Sequence, residues 1–343
     1  MPTRVAINGF GRIGRAVLRS AIERNADLEV VAIHDIAPVD VLAHLLERDS
    51  VYGRFAYPVH VHDGALVVAG RRIHVVEDAD RGPSWGDLGV DVVIEASGRL
   101  RTRAAAAGHI DAGARKVIVS APIKGPEPAD ADLVLGVNFD AVYDPERHDI
   151  VSNVSCTTNC LAPVAKVLHE TLGIRHGLMT TIHAYTADQQ LLDGPHKDLR
   201  RARAAAINLV PTSTGAAKAL GLVIPELEGR LNGFAVRVPV PTGSLVDLTV
   251  EVERYTSTTA VNAAFAERAT SGSLAGILAY SEEPIVSSDI VKSPFSAILD
   301  APLTTVIDGT QVKVVAWYDN EWGYANRLVE LAERVLMPVS VTA

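Results

Sequence analysis

The sequence predicts an α/β protein, with a doubly wound parallel-sheet dinucleotide-binding domain followed by an α+β catalytic domain that has a mixed or antiparallel sheet. In the first half, short β-branched apolar runs alternate with Ala-rich helical stretches, an order typical of parallel sheets. From about residue 153 the strands become longer and alternate apolar with polar residues, which indicates a different sheet. A length of 343 residues is ample for two domains.

The predicted elements follow this division along the chain. We place the dinucleotide-binding domain at residues 1–152 and the catalytic and substrate domain at 153–319. A C-terminal helix at about 320–343 is expected to pack back on the first domain. In the first domain, strands are predicted at 4–8, 28–33, 90–95 and 116–120, and helices at 15–24, 39–48 and 102–112. In the second, the clearest strands are at 233–239, 245–252 and 311–317.

Composition excludes several classes of protein. Hydrophobic residues make up 48% and charged residues 21% of the chain, and no apolar run is long enough to span a membrane. The N-terminal residues enter a strand without a signal-type segment, and two cysteines are too few for a disulfide framework, so a cytoplasmic location is expected. A net charge of −9 disfavours nucleic-acid binding.

A glycine motif joins the first predicted strand to the first predicted helix. Gly9, Gly11 and Gly14 form G-x-G-x-x-G, which lets the backbone approach a pyrophosphate while the helix N-terminus supplies amide hydrogens. The alternative is a tight turn without a ligand, but the strand-to-helix context favours dinucleotide binding.

Asp35 supports NAD as the cofactor. It ends the second strand about 20 residues beyond the glycines, where a carboxylate accepts hydrogen bonds from the adenosine ribose and repels a 2′-phosphate. A turn or helix-capping carboxylate is the alternative. Ser97, Gly98 and Ser120 follow later strands of the same sheet and are supporting cofactor candidates.

Cys156 is the candidate nucleophile. It lies at or near a predicted helix N-terminus, a position expected to lower the pKa of a thiol, and the thiolate is the reactive form. We interpret Cys160, one turn later, as structural, although either cysteine could be a small buried hydrophobe. A zinc site is disfavoured because C-x-x-x-C lacks further matching ligands.

His183 is the candidate general base. It lies in an apolar, strand-like run, where a single histidine more often has a structural role. A thiolate that adds to an aldehyde, however, needs a base to remove the hemithioacetal proton as hydride leaves, and imidazole suits that role.

An anion pocket is predicted from a hydroxyl-rich segment and an arginine. Residues 212–216 precede a helix-like stretch and offer hydroxyls and helix-start amides, and Arg237 offers bidentate geometry. The alternatives are an ordinary capping motif and a structural ion pair. The basic run at 196–203 could be a solvated face or a subunit interface.

Four segments together resemble the phosphorylating, NAD-dependent glyceraldehyde-3-phosphate dehydrogenases, over essentially the whole chain. The most specific is SCTTNCL at 155–161, which is similar to the active-site signature of that family. The others are DGPHKDLRRAR at 193–203, TSTGAAK at 212–218 and WYDNEWGY at 317–324.

The resemblance implies oxidation of glyceraldehyde 3-phosphate to 1,3-bisphosphoglycerate with inorganic phosphate and NAD, by a homotetramer in which residues 187–210 pack near the cofactor of a neighbouring subunit. It implies the nucleophile Cys156 and the base His183. Implied substrate or phosphate contacts are Ser155, Thr157, Thr186, Arg201, Thr214, Gly215 and Arg237. Implied NAD contacts are Arg12, Ile13, Asp35, Ser120 and Asn320.

Three positions depart from the family pattern and leave NADP or dual cofactor use open. His34 stands where asparagine is common, Gly194 where leucine is usual, and Asp78 where an arginine commonly contacts the cofactor, so that contact is left out. Alternative functions are an erythrose-4-phosphate dehydrogenase with water as acyl acceptor, and a non-catalytic cofactor-binding protein.

Overall fold

The computed structural model describes residues 2–77 and 83–337. They form two compact units. The first contains the described residues up to Leu133, Phe139–Val154, and those from Ala325 onward. The second contains Val134–Asn138 and Ser155–Tyr324.

The first unit is built on a sheet that is parallel over most of its width. Its strand order is β10-β11-β9-β8-β1-β2-β7-β6-β5, and all pairs from β10 to β7 are parallel. The strands are β1 (Thr3–Asn8), β2 (Leu28–His34), β5 (Val59–His62), β6 (Ala65–Val68), β7 (Arg71–Val76), β8 (Val92–Glu95), β9 (Lys116–Val119), β10 (Ala131–Asp132) and β11 (Ile150–Ser152). A separate pair joins β3 (Arg48–Asp49) to β4 (Gly53–Arg54).

Hydrophobic burial explains the parallel centre of this sheet. Val5, Ala6 and Ile7 are consecutive and fully buried, so β1 is covered on both faces, as parallel strands in doubly wound folds are. The antiparallel addition of β5 and β6 beside β7 was not predicted.

The helices of the first unit include the predicted ones. They are α1 (Arg12–Glu23), α2 (Val39–Glu47), α3 (Arg103–Asp111) and the short α4 (Phe139–Val142). The last helix, α8 (Trp322–Arg334), belongs to the first unit from Ala325 onward. There Glu333 accepts from the Asp27 amide at 2.7 Å, and the Val335 carbonyl accepts from the Tyr143 hydroxyl at 2.6 Å.

The second unit has a mixed sheet in the order β13-β14-β12-β15-β19-β17-β16, with β18 paired to β19. The β12–β14 pair is parallel and the central β12–β15–β19 ladder is antiparallel. The strands are β12 (Ile174–Ala184), β13 (Val210–Thr212), β14 (Leu231–Val238), β15 (Ser244–Val252), β16 (Leu278–Ser281), β17 (Ala297–Asp300), β18 (Thr305–Ile307) and β19 (Gln311–Tyr318). The helices are α5 (Cys156–Leu172), α6 (Ala216–Val223) and α7 (Thr258–Thr270).

Both predicted sheet types are therefore confirmed. None of the helices in residues 2–77 and 83–337 combines the length and hydropathy that a membrane span requires.

Candidate active site

A cleft in the first unit lies at the carboxyl ends of β1, β2 and β8. Its volume is about 450 Å³, within the roughly 300–1,000 Å³ typical of small-molecule sites. Four predicted cofactor residues lie along it together: Gly9, Gly11, Asp35 and Ser97. This is the edge of a doubly wound sheet where nucleotides bind.

The three motif glycines have different reasons to be glycine. A Cβ on Gly9 (φ +92°) would lie 2.4 Å from the Ser97 backbone nitrogen, and one on Gly14 would lie 2.2 Å from the Gly9 carbonyl oxygen. Chain packing alone therefore accounts for Gly9 and Gly14. A Cβ on Gly11 would meet nothing within 4 Å, so Gly11 is the glycine whose place in the motif fits approach by a ligand.

The Asp35 carboxylate is held by the backbone at the edge of the cleft. Its Oδ2 accepts from the Phe10 amide at 2.7 Å and its Oδ1 from the Ala37 amide at 3.0 Å. Each carboxylate oxygen has a second lone pair, so both can still accept from ribose hydroxyls. Asp35 therefore makes a local turn contact and does not cap α2, whose N-cap is Pro38; the turn contact is compatible with the cofactor role.

The remaining cofactor candidates of the first unit lie around this edge. The Arg12 guanidinium is paired with Asp49 at 2.5 Å, and Ile13 follows it in the first turn of α1. Gly98 (φ +70°) forms the turn after β8, and the Ser120 amide donates to the Glu95 carbonyl at 2.9 Å. Asp78, a noted departure, lies outside the described residues.

Cys156 is the first residue of α5, directly after the N-cap Ser155, whose Oγ accepts from the Thr158 amide at 3.1 Å. This cap is the local reason that the helix begins here. Cys156 is partly exposed and Cys160 is buried, in keeping with the nucleophilic and structural roles proposed for them.

His183 faces the thiol from the end of β12. Its Nε2 lies 3.5 Å from Cys156 Sγ. Its Nδ1 lies 2.7 Å from the Ala184 carbonyl oxygen. With the proton on Nδ1 and donated to Ala184, the neighbouring Arg237 Nη1 donates to Ala184 O and Thr186 Oγ1 instead of to the ring, and Nε2 is an acceptor directed at the thiol.

Burial controls the protonation of this pair. It is the main cause that lowers the pKa of His183 to about 3, and the Arg237 charge lowers it further. Burial also raises the pKa of the Cys156 thiol, against the opposing effects of Arg237 and Thr157. Backbone hydrogen bonds at the start of α5 lower the pKa of Cys156, but desolvation raises it more, so the predicted net lowering of this pKa is wrong. Both groups are therefore neutral near pH 7, so the thiol gives up its proton to His183 only as Sγ attacks a substrate.

Arg237 lies beside His183 because the two residues are register partners in the parallel β12–β14 pair. Its Nη1 is 2.9 Å from His183 Nδ1 and 3.1 Å from Thr186 Oγ1. Its Nε is buried without a hydrogen-bond partner among the described residues, so this guanidinium retains capacity for an anion.

Arg201 lies among the other predicted phosphate contacts. Its Nε donates to Thr212 Oγ1 at 2.9 Å, and its Nη2 to the Ser213 carbonyl at 3.3 Å. Gly215 is the N-cap of α6, and Thr214 Oγ1 accepts from the Ala216 amide at 3.2 Å. The Arg201 guanidinium therefore lies beside this hydroxyl-rich segment. The anion pocket predicted from the segment paired it with Arg237 instead, which contacts His183, Ala184 and Thr186, so that pocket stays a prediction.

Asp188 is a member of this group that the sequence reasoning missed. It accepts from Arg201 Nη1 at 2.5 Å and from the Thr186 hydroxyl. Despite burial, hydrogen bonds from Thr186 and the nearby arginines lower the pKa of this carboxyl. Asp188 therefore links Thr186, which contacts Arg237, to Arg201. The only sequence signal for this link was the position of Asp188 between Thr186 and the basic run at 196–203.

Two side chains of the second unit that were predicted to contact substrate or NAD make hydrogen bonds within the protein. The Thr157 hydroxyl is buried and lies 2.9 Å from the Tyr318 hydroxyl. Asn320 is buried, and its Oδ1 accepts from Ser244 Oγ at 2.8 Å. Their contacts with substrate and NAD stay predictions. Within the described part of the chain, no group of three or more His, Cys, Asp or Glu side chains could hold a metal ion.

A doubly wound nucleotide-binding sheet in the first unit, and a cysteine–histidine pair with arginines nearby in the second, are features of NAD-dependent oxidoreductases. Comparison with known families agrees. Residues 3–103 match the model described as glyceraldehyde 3-phosphate dehydrogenase, NAD binding domain, and residues 155–320 match its C-terminal domain.

Similar proteins carry the same name. The chain is 58% identical to glyceraldehyde-3-phosphate dehydrogenase 1 of Streptomyces avermitilis, covering 97% of this chain and 98% of that protein. It is 57% identical to the Mycobacterium avium enzyme over 98% and 99% of the two chains, and 56% identical to that of Geobacillus stearothermophilus over 97% and 98%. The chain belongs to the glyceraldehyde-3-phosphate dehydrogenase family.

Proposed function

We propose that this protein oxidises D-glyceraldehyde 3-phosphate to 1,3-bisphosphoglycerate, with NAD as hydride acceptor and inorganic phosphate as acyl acceptor. The observation that carries the proposal is the 3.5 Å approach of Cys156 Sγ to His183 Nε2. A thiol and a base in contact are the elements of covalent acyl transfer.

The thiol begins the reaction. His183 Nε2 accepts the Cys156 proton as Sγ attacks the aldehyde carbon, and the proton passes to the carbonyl oxygen to complete a hemithioacetal. His183 then removes the hydroxyl proton while the carbon loses hydride, which NAD accepts when it is bound. The result is a thioester on Cys156 that keeps the acyl group activated.

Phosphate completes the cycle. An oxygen of inorganic phosphate attacks the thioester carbon, the C–S bond breaks, and Cys156 leaves as thiolate and is reprotonated. Arg237 and Thr186 beside His183, and Arg201, Thr214 and Gly215 at the start of α6, supply cationic and amide donors for the phosphate groups. Ser155 and Thr157, on either side of the nucleophile, complete the proposed contacts.

For NAD, the first unit offers a cleft of suitable size, an open face at Gly11, and a carboxylate with free lone pairs at Asp35. We propose that the following residues hold the cofactor: Gly9, Gly11, Arg12, Ile13, Gly14, Asp35, Ser97, Gly98, Ser120 and Asn320.

We also propose that the protein is a cytoplasmic homotetramer. Apolar side chains on residues 187–210 support a subunit contact, because Leu191, Leu199 and Ile207 are each about 80% exposed and apolar exposure of this size favours a protein partner. Sedimentation at micromolar concentration tests the tetramer.

The proposed function is tested by mixing purified protein with glyceraldehyde 3-phosphate, with and without inorganic phosphate, and following reduction of NAD and NADP separately. We expect phosphate-dependent reduction of NAD. Phosphate-independent turnover would favour water as acyl acceptor, strong NADP reduction would show dual cofactor use, and no reduction would favour a non-catalytic binding protein.

A further inference from the structure

Glu95, the last residue of β8, has a buried carboxylate that no step of the proposed reaction uses. Only 1% of its surface is exposed. One wall of the nucleotide cleft contains Asn8 and His34, and the other contains Ser97 and Arg99. We propose that Glu95 is a positioning residue for cofactor binding, whose carboxylate fixes these two walls relative to each other. The inference rests on the proposed function only in that the cleft holds the adenosine half of NAD.

Four donors converge on this carboxylate. Oε1 accepts from the Ser97 amide at 2.8 Å and from the Ser97 hydroxyl at 2.5 Å. Oε2 accepts from Asn8 Nδ2 and from His109 Nε2, the latter at 3.1 Å. A carboxylate has about four lone-pair sites, so this one is fully used.

The directions of the bonds are fixed by the surrounding network. The Trp85 indole N–H donates to His109 Nδ1 at 3.0 Å, so His109 carries its proton on Nε2 and donates it to Glu95. All four partners therefore act as donors, which is the pattern that an ionised carboxylate satisfies and a protonated one does not.

Each oxygen holds one wall. Through Oε2, Asn8 is oriented so that its Oδ1 meets His34 Nδ1 at 2.5 Å, next to Asp35 at the end of β2. Through Oε1, Ser97 is oriented so that its Oγ accepts from the Arg99 amide at 3.1 Å. Asn8, His34, Ser97 and Arg99 all line the cleft.

Glu95→Gln tests the hydrogen bonds of this side chain without changing its size. Glu95→Gln preserves volume, but its NH₂ group cannot accept hydrogen bonds, so two of the four buried donors lose their acceptor whichever way the amide is turned. Either the Asn8–His34 wall or the Ser97–Arg99 wall is then released.

The test measures binding of ADP-ribose by calorimetry and thermal stability, on the full chain. We expect Glu95→Gln to raise the Kd of ADP-ribose at least about tenfold. In turnover assays it should raise KM for NAD and leave kcat at saturating NAD within about threefold.

Trp85→Phe is the matched control. It removes the donor to His109 Nδ1 at the buried end of the same network and leaves all four donors to Glu95. We expect it to lower Tm yet change the Kd of ADP-ribose less than about twofold. If Glu95→Gln does not fold, Asn8→Ala, which releases only the Asn8–His34 wall and removes no residue proposed to hold the cofactor, should weaken binding in the same direction.

Each outcome decides the matter. A wild-type Kd in Glu95→Gln, or equal weakening by Trp85→Phe, would overturn the positioning role, because general loosening would then explain the effect. If the wild-type protein fails to bind ADP-ribose, the location of the cofactor cleft itself is wrong. Normal binding by wild type with no effect of Glu95→Gln refutes this inference alone.

Discussion

The Arg237 charge is expected to control the protonation of the proposed base, and Arg237→Gln tests this. Burial is the larger cause of the low His183 pKa and the guanidinium is the second. The substitution removes the charge, whose nearest nitrogen is 2.9 Å from His183 Nδ1, and leaves most of the burial in place.

The size of the effect follows from Coulomb's law. Two unit charges 4 Å apart at an effective dielectric of 20 interact by about 4 kcal/mol, and one pKa unit corresponds to about 1.4 kcal/mol. That sets a ceiling of about 3 pKa units, and we expect screening to reduce the rise in the His183 pKa to about 1–2. His183 must be neutral to act as a base, so the acylation rate falls as pH drops through its pKa. In the variant this fall in rate, the acid limb of the pH profile, should occur at higher pH.

The assay is the pre-steady-state burst of NADH against pH, with unphosphorylated glyceraldehyde as substrate. This substrate removes the effect of lost phosphate binding, which would otherwise be confounded with the pKa change. Arg201→Gln is the control, because the Arg201 charge is the weakest of the named contributions to the His183 pKa. An acid limb that stays in place in Arg237→Gln, or moves equally in both variants, would refute the reasoning.

Other predictions concern the cofactor cleft and the second cysteine. Gly11→Ala should raise the Kd of NAD about tenfold and leave Tm unchanged. Gly9→Ala should lower Tm, because its Cβ meets the Ser97 backbone. Calorimetry and thermal melts check both variants, and equal Tm losses would contradict the different roles given to the two glycines. Asp35→Ala should reduce the preference for NAD over NADP at least about tenfold in kcat/KM, and an unchanged ratio would exclude Asp35 from the cofactor site. Cys160→Ala should keep turnover within about threefold and cost about 1–2 kcal/mol of unfolding free energy in denaturant titrations; loss of turnover would show that this cysteine is chemically required.

Local patterns were sufficient for most of the fold. The apolar runs at 4–8 and 28–33 became β1 and β2 within a residue or so, since continuous β-branched runs are typical of strands buried on both faces. The helix N-terminus predicted at or near Cys156 lies there, because the Ser155 side chain caps the helix.

Long-range contacts account for what the sequence could not predict. The hydroxyl of Thr157 meets Tyr318, 161 residues away, and the Glu95 carboxylate meets Asn8, 87 residues away. The pKa of Cys156 depends on how much of the thiol is desolvated, which a helix position does not reveal. Side-chain networks of this kind depend on packing between elements that are distant in the chain.

The most direct test of the central claim is mass spectrometry of the acyl-enzyme. Protein is mixed with NAD and glyceraldehyde 3-phosphate without inorganic phosphate, quenched in acid and digested. The account predicts a phosphoglyceryl adduct on the peptide containing Cys156, its loss when phosphate is added, and its absence in Cys156→Ser. Turnover of NAD by Cys156→Ser at the wild-type rate, or an adduct on another residue, would contradict the proposed thioester.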